Sequence, residues 1–183
     1  MKFDKTRVVA EIREYAEKTL IPPGADPGAC CVYHAAACVK LVPMLTGLRC
    51  FAQAGSCLWP RVRPEQDDGV VETHYGYEWQ GMNMQTAAMI AAGLLPEVHF
   101  WAAVLDPKPP FGAEVLDVTT RDFPAMCLKT IGKDWPGDPP PDFLWDRPAV
   151  VKGRPGLPVR YEPSETATVF AMHLTAKILR GEA

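Results

Sequence analysis

The sequence predicts a single α+β domain spanning residues 1–183. Three observations carry that expectation. Helical patterns open the chain and recur near residue 30, strand-like apolar runs with turn signals follow, and one more amphipathic segment closes it. Helices, then a mostly antiparallel sheet, then a closing helix is an α+β order. At 183 residues and 48% hydrophobic, the chain can bury one good core.

Residues 4–20 suit an amphipathic helix, with Val8, Ile12, Tyr15 and Leu20 on one side and Lys, Arg and Glu on the other. "IPPGADPG" breaks it. From about Cys30, "CCVYHAAACVKLVPMLTG" has helical length and an alanine-rich face. Pro43 is expected to kink its last turn or end it early, and Gly47 to stop it. "LRCFAQAGSCLWPRV" reads as a strand or hairpin edge, followed by the polar loop "RPEQDDG" and a strand around "VVETHYGYEW". "MNMQTAAMIAAGLLP" fits a short helix or a buried loop. His99–Leu105 and Glu114–Thr119 read as half-buried strands of an antiparallel hairpin, with Pro107, Pro109, Pro110 and Gly112 between them. After Asp122 an irregular course is expected, because prolines crowd 107–110, 136–148 and 155–163. The tail "PSETATVFAMHLTAKILRG" reads as a helix over 164–181: Ser164 is the N-cap, Val169, Phe170, Leu174 and Ile178 form the apolar stripe, and Gly181 ends it.

Net charge is −3 with no basic cluster, so no nucleic-acid footprint is visible. The charged first twenty residues are unlike a secretion signal, and no run approaches the ~18 apolar residues of a membrane span. Six cysteines without a secretion signal point to reduced thiols and a cytoplasmic location rather than a disulfide framework.

A cysteine at the start of a helix sits where free backbone N–H groups and the helix dipole favour negative charge, and hence thiolate. "GADPGACCVYHAAA" offers Cys30 and Cys31. A thiolate nucleophile also needs an imidazole within hydrogen-bond reach and a third group to orient it. His99 opens one strand and Asp117 lies in the next, so a hairpin can face them across one side. A carboxylate between Leu116 and Val118 needs a partner, which is the reason to read it functionally.

In order, the segments "CVYHA" (residues 31–35), "HFW" (99–101) and "VLDVTT" (115–120) resemble the transglutaminase-like branch of the papain-like cysteine enzymes. The resemblance covers roughly 28–120, with 122–163 as a proline-rich wrap. It implies a nucleophile-bearing helix packed on an antiparallel sheet, with Cys31 as nucleophile, His99 as base and Asp117 as orienting acid. The implied reaction is acyl transfer on a peptide, isopeptide or side-chain amide, by hydrolysis or transamidation, with a peptide or protein substrate and no cofactor or metal. The chain departs from the family pattern in three places. Ala103 replaces the acidic residue that often follows the His–x–Trp element. The gap from Cys31 to His99 is 99 − 31 = 68 residues, so about 58–95 reads as an insertion. No Gln precedes Cys31, which leaves the oxyanion donor to the Cys31 backbone N–H or to Trp79, Gln80 or Gln53.

Cys30 remains a one-residue-shifted alternative to Cys31. Two further readings stay open: a catalytically inactive relative that binds a peptide or partner protein, and a thiol-based metal or redox module on the 30–38 helix. Cys30, His34 and Cys38 recur every four residues, but structural zinc usually wants four ligands on turns, so a packed helix face is the expected role. Trp101 shares the strand face of His99 and is expected to shield it or simply to pack.

Overall fold

The protein is described from a computed structural model covering residues 3–25, 30–61, 73–92, 94, 96–106, 112–147 and 159–182. The expected loop "RPEQDDG", residues 70–72 of the second strand, the hairpin-loop prolines 107, 109 and 110, and residues 26–29 and 148–158 lie outside the described residues.

Helix α1 (Lys5–Tyr15) starts where the Asp4 carboxylate accepts from the backbone N–H of Thr6 at 2.9 Å, and it widens into a π turn over Ala16–Leu20. Helix α2 spans Cys31–Thr46. It runs through Pro43 rather than stopping there, since a proline so near the end removes only one backbone bond. Gly47, in the left-handed conformation, then closes it by donating to the Pro43 carbonyl at 3.0 Å. Strands β1 (Arg49–Arg61) and β2 (Thr73–Tyr77) follow, then the short helix α3 (Met84–Ala91), which resolves the ambiguous methionine-rich segment. Strands β3 (His99–Asp106) and β4 (Gly112–Asp117) form the expected hairpin.

The irregular course expected after Asp122 is corrected at its start. A 3₁₀ turn over Thr120–Asp122 leads into α4 (Phe123–Ile131), with a proline in its first turn and Gly132 as a left-handed stop. That placement is helix-compatible, and the surrounding prolines masked it. Two short strands also escaped the sequence reading: β5 (Leu144–Asp146) and β6 (Arg160–Pro163). The closing helix α5 (Glu165–Arg180) has its predicted cap and stop, but Val169 is exposed; the buried stripe is Ala167, Ala171, Thr175 and Ile178.

β1 is the spine of the antiparallel sheet, which runs β2-β1-β3-β4-β5 with β6 also on β1. Its first half pairs with β3 and its far end with β2, so residues 58–61 and 73–77 of the expected insertion extend the sheet. At Gly55, paired with both His99 and Pro163, β6 passes so close that a Cβ would lie 2.1 Å from the Glu162 carbonyl oxygen. Only glycine permits that approach, and it seats β6 along β1 across from the start of β3. One face of the sheet packs on α1, α2 and α5 through small side chains such as Ala36, Ala52, Ala54 and Ala102, which let the α2 helix come close. The other face carries an aromatic cluster that includes Trp59, Tyr75, Trp101, Phe123 and Tyr161. The β3 strand, expected to be half-buried, is therefore buried on both faces from His99 to Val104.

Arg13 of α1, expected on the solvent side, is buried instead. Its Nε and Nη2 donate to the Val118 carbonyl at 3.0 and 2.8 Å, Nη1 pairs with the Asp142 carboxylate at 2.6 Å, and Nη2 also reaches the Asp142 carbonyl. The clamp fixes the chain just past Asp117. Arg13→Ala strands a buried carbonyl and is expected to cost about 2–4 kcal/mol, read as a lower urea midpoint with an unchanged slope.

Candidate active site

Cys30 is the N-cap residue of α2, and its carbonyl accepts from the His34 backbone N–H at 3.1 Å and contacts His34 Nδ1 at 2.9 Å. Cys31 is the first residue of the helix proper, 6% exposed, with no acidic side chain in that first turn. His34 and Cys38 turn inward and are buried, as a packed helix face requires. Burial pushes the Cys38 thiol well up and keeps His34 toward its neutral form.

His99 lies at the very start of β3, 1% exposed. Its Nε2 meets Asp117 Oδ2 at 2.7 Å. A carboxylate can only accept, so Nε2 carries the proton and Nδ1 is the nitrogen left to act as base. Nδ1 is buried and makes no hydrogen bond among the described residues. Cys31 is near enough to add to the proton affinity of this ring, yet no aligned bond closes between them. Thiol–imidazole pairs are often loose without substrate and tighten when it binds. Asp117, at the end of β4, is 2% exposed and fully engaged. Oδ1 accepts from the Thr119 N–H at 2.9 Å and the Thr119 hydroxyl at 2.7 Å, and Oδ2 accepts from the Tyr161 hydroxyl at 2.7 Å as well as from His99.

These contacts set the charges. Burial works against a charged His99, but the charge and hydrogen bond of Asp117, with Cys31 behind them, outweigh it and push the ring up to about 10. Burial likewise works against an ionised Asp117, and the imidazolium, the Tyr161 hydroxyl and Thr119 together hold it below the usual carboxylate range. The resting pair is an imidazolium facing a carboxylate. Aromatic rings enclose it: Tyr77 stacks on His99 at 5.1 Å between centroids, Trp101 stacks at 6.2 Å, and Phe123 meets it edge-on at 5.4 Å.

A second sulfur is close. Cys57 of β1, a ring nitrogen of His99 and an Asp117 oxygen lie within 4.8 Å of one another, all buried. That spacing would suit a metal ion, but the chemistry of the donors does not. Both Asp117 oxygens are already taken by N–H and O–H donors, two on each, so neither keeps a lone pair for a metal.

Of the expected oxyanion or cleft residues, Trp79 packs beside the cluster containing Cys31, and its buried indole N–H has no acceptor among the described residues. Gln53 uses its side-chain oxygen on the Trp101 indole at 3.0 Å, and Gln80 is exposed beyond β2. Sequence reasoning missed Thr119, Tyr161 and Cys57. Thr119 had a local signal, because Asp followed two residues later by Thr forms an Asx-type turn. Tyr161 had none, since it lies 44 residues from Asp117 and arrives only through the pairing of β6 with β1.

Among the described residues no helix is long and apolar enough to cross a membrane. None of the six cysteines is joined in a disulfide. Set against known proteins, the chain matches no protein-family model and has no significant match to a curated protein or a solved structure.

Proposed function

We propose that the protein is a cysteine-dependent acyl-transfer enzyme of transglutaminase- or papain-like architecture, acting on a peptide, isopeptide or side-chain amide through Cys31, His99 and Asp117. One observation carries this reading. A fully buried imidazole is held by Asp117 through Nε2, while Nδ1, the nitrogen a thiol would use, has no hydrogen-bond partner among the described residues and lies beside a cysteine at a helix start. A buried polar atom left unpaired costs stability, and a catalytic role accounts for its presence.

The Cys31 thiolate attacks the carbonyl carbon, and the resulting oxyanion takes hydrogen bonds from the Cys31 backbone N–H and the Trp79 indole, which has no acceptor among the described residues. His99 Nδ1 passes its proton to the leaving amine as the C–N bond breaks, giving a thioester. Water or an acceptor amine then gives its proton back to Nδ1 and releases the acyl group, restoring the thiolate–imidazolium pair. Asp117 keeps the ring oriented throughout and stabilises its charged form before the first proton transfer and after the last.

A second reading, a catalytically idle binding module for a peptide or partner protein, draws on the missing aligned bond between Cys31 and His99 and on the rings crowding the imidazole. Iodoacetamide labelling with mass mapping separates the two. Cys30 and Cys50 are more exposed than Cys31, so access alone would make Cys31 the slower thiol. An enzyme is expected to reverse that order at about pH 6, with Cys31 roughly tenfold faster or more, because only an activated thiol is ionised there. If Cys31 reacts at or below the rate of Cys30, the acyl-transfer reading fails and the binding module takes its place.

A further inference from the structure

The Tyr161 hydroxyl oxygen lies 3.3 Å from the Trp59 indole nitrogen and 2.7 Å from Asp117 Oδ2. An indole N–H can only donate and a carboxylate can only accept. The direction of the chain is therefore forced: Trp59 N–H donates to the Tyr161 oxygen, and the Tyr161 proton points at Asp117. The oxygen it points at is the one that holds His99. All four residues are at least 92% buried, from strands β1, β6, β4 and β3, so water is excluded from the line.

We propose that Trp59 and Tyr161 are positioning residues which, by this one-way hydrogen-bond chain, keep the negative charge on Asp117 and the shared proton on His99. The role rests on the acyl-transfer reading above, because it is the Cys31 thiolate that benefits from a charged ring. Asp117 and His99 share one proton across 2.7 Å. Each donor on Asp117 lowers the proton affinity of the carboxylate and leaves that proton on Nε2; hydrogen bonds in series reinforce one another. Thr119 secures the other oxygen, so the direction of the carboxylate survives loss of Tyr161, whereas its charge weakens. The proton then moves toward Oδ2, the ring loses positive charge, and the thiolate loses its counter-ion.

The test is the pH profile of Cys31 alkylation by iodoacetamide in the full chain, together with the proton resonance of His99 Nε2–H. The ionisable groups facing His99 are Asp117 from β4, Cys31 from α2, Cys57 from β1, Tyr77 from β2 and Tyr161 from β6. Tyr161→Phe is expected to move the acid limb up by about one pH unit, which is about tenfold slower labelling on that limb, and to move the Nε2–H resonance downfield. Trp59→Phe, which frees the hydroxyl to rotate, is expected to shift both the same way by less. Fluorotyrosine placed at 161, a stronger donor of nearly the same shape, is expected to shift both the opposite way and so answers the objection that Tyr161→Phe merely loosens the fold. If wild-type Cys31 is activated but the limb and the resonance stay put in Tyr161→Phe and with fluorotyrosine, the positioning role is overturned while the acyl-transfer reading stands. If wild-type Cys31 shows no activation, both fall, even if the resonance responds to Tyr161.

Discussion

Asp117→Asn is expected to slow acyl transfer on the proposed reading by about 10³–10⁴-fold, the order seen when an orienting aspartate becomes an amide. It is expected to slow Cys31 alkylation at about pH 6 by about 10²-fold, since an ordinary thiol is still slightly ionised there. The cause is a mismatch of donors and acceptors. Asp117 receives protons from the Thr119 N–H and O–H, the Tyr161 O–H and His99 Nε2, and it is fully buried. Asparagine has one oxygen and an NH₂ group, so whichever way it turns, its N–H groups face donors. If its amide faces His99, the ring must accept at Nε2, and Nδ1 then carries the proton and can no longer take one from Cys31. The same clash is expected to cost about 1–3 kcal/mol of stability. Asp117→Ala goes further and leaves the buried imidazolium unpaired, a loss of about 3–5 kcal/mol. Alkylation kinetics and urea midpoints on the same samples measure both. An unchanged Cys31 rate in a folded Asp117→Asn protein would remove Asp117 from the proposed mechanism.

A marked loss of stability on the alkaline side is the second large effect. His99 is raised from its ordinary 6.5 to about 10, so the folded state binds its proton more tightly than the unfolded chain does. The stabilisation from this group is complete below about pH 6.5, shrinks as pH climbs beyond that, and is gone once pH has passed through about 10. Asp117 has the opposite sign. Its proton affinity is lowered on folding, so its contribution is present above the ordinary carboxylate range and is lost as pH falls through its depressed value. The pair therefore stabilises most between the carboxylate range and about pH 6.5. Urea midpoints of wild type and His99→Gln, measured from pH 5 to about pH 10, are expected to converge as pH rises, because the variant lacks the group that titrates. Parallel curves would show that the His99 charge contributes nothing to folding.

How much of this was legible in the chain depends on how local the deciding force is. The ends of α2 and α5 follow from Gly47, Ser164 and Gly181, because capping is satisfied within a few residues. The β3–β4 hairpin follows from strand composition and short sequence separation. The pairing of His99 with Asp117 was readable for the same reason: they lie 18 residues apart on neighbouring strands, and an acidic side chain among Val and Leu needs a proton donor. The α4 helix was legible in principle, through Pro124 and Gly132, but the proline crowding around it outweighed those signals. The burial of Arg13 was not, since periodicity assigns a face and cannot know that a carbonyl at Val118 and a carboxylate at Asp142 will meet it there.

By itself the sequence determined the local devices: where α2 and α5 stop, that two neighbouring runs form the β3–β4 hairpin, and that a histidine and an aspartate stand on it within reach of each other. The tertiary structure alone decided the environment of those residues. Gly55 lets β6 pair closely along β1, that pairing delivers Tyr161 to Asp117, and Trp59 fixes the direction of the Tyr161 proton. Those contacts join residues distant along the chain, and their energies depend on excluding water from all of them at once, a condition that only the assembled sheet and its aromatic cover can meet.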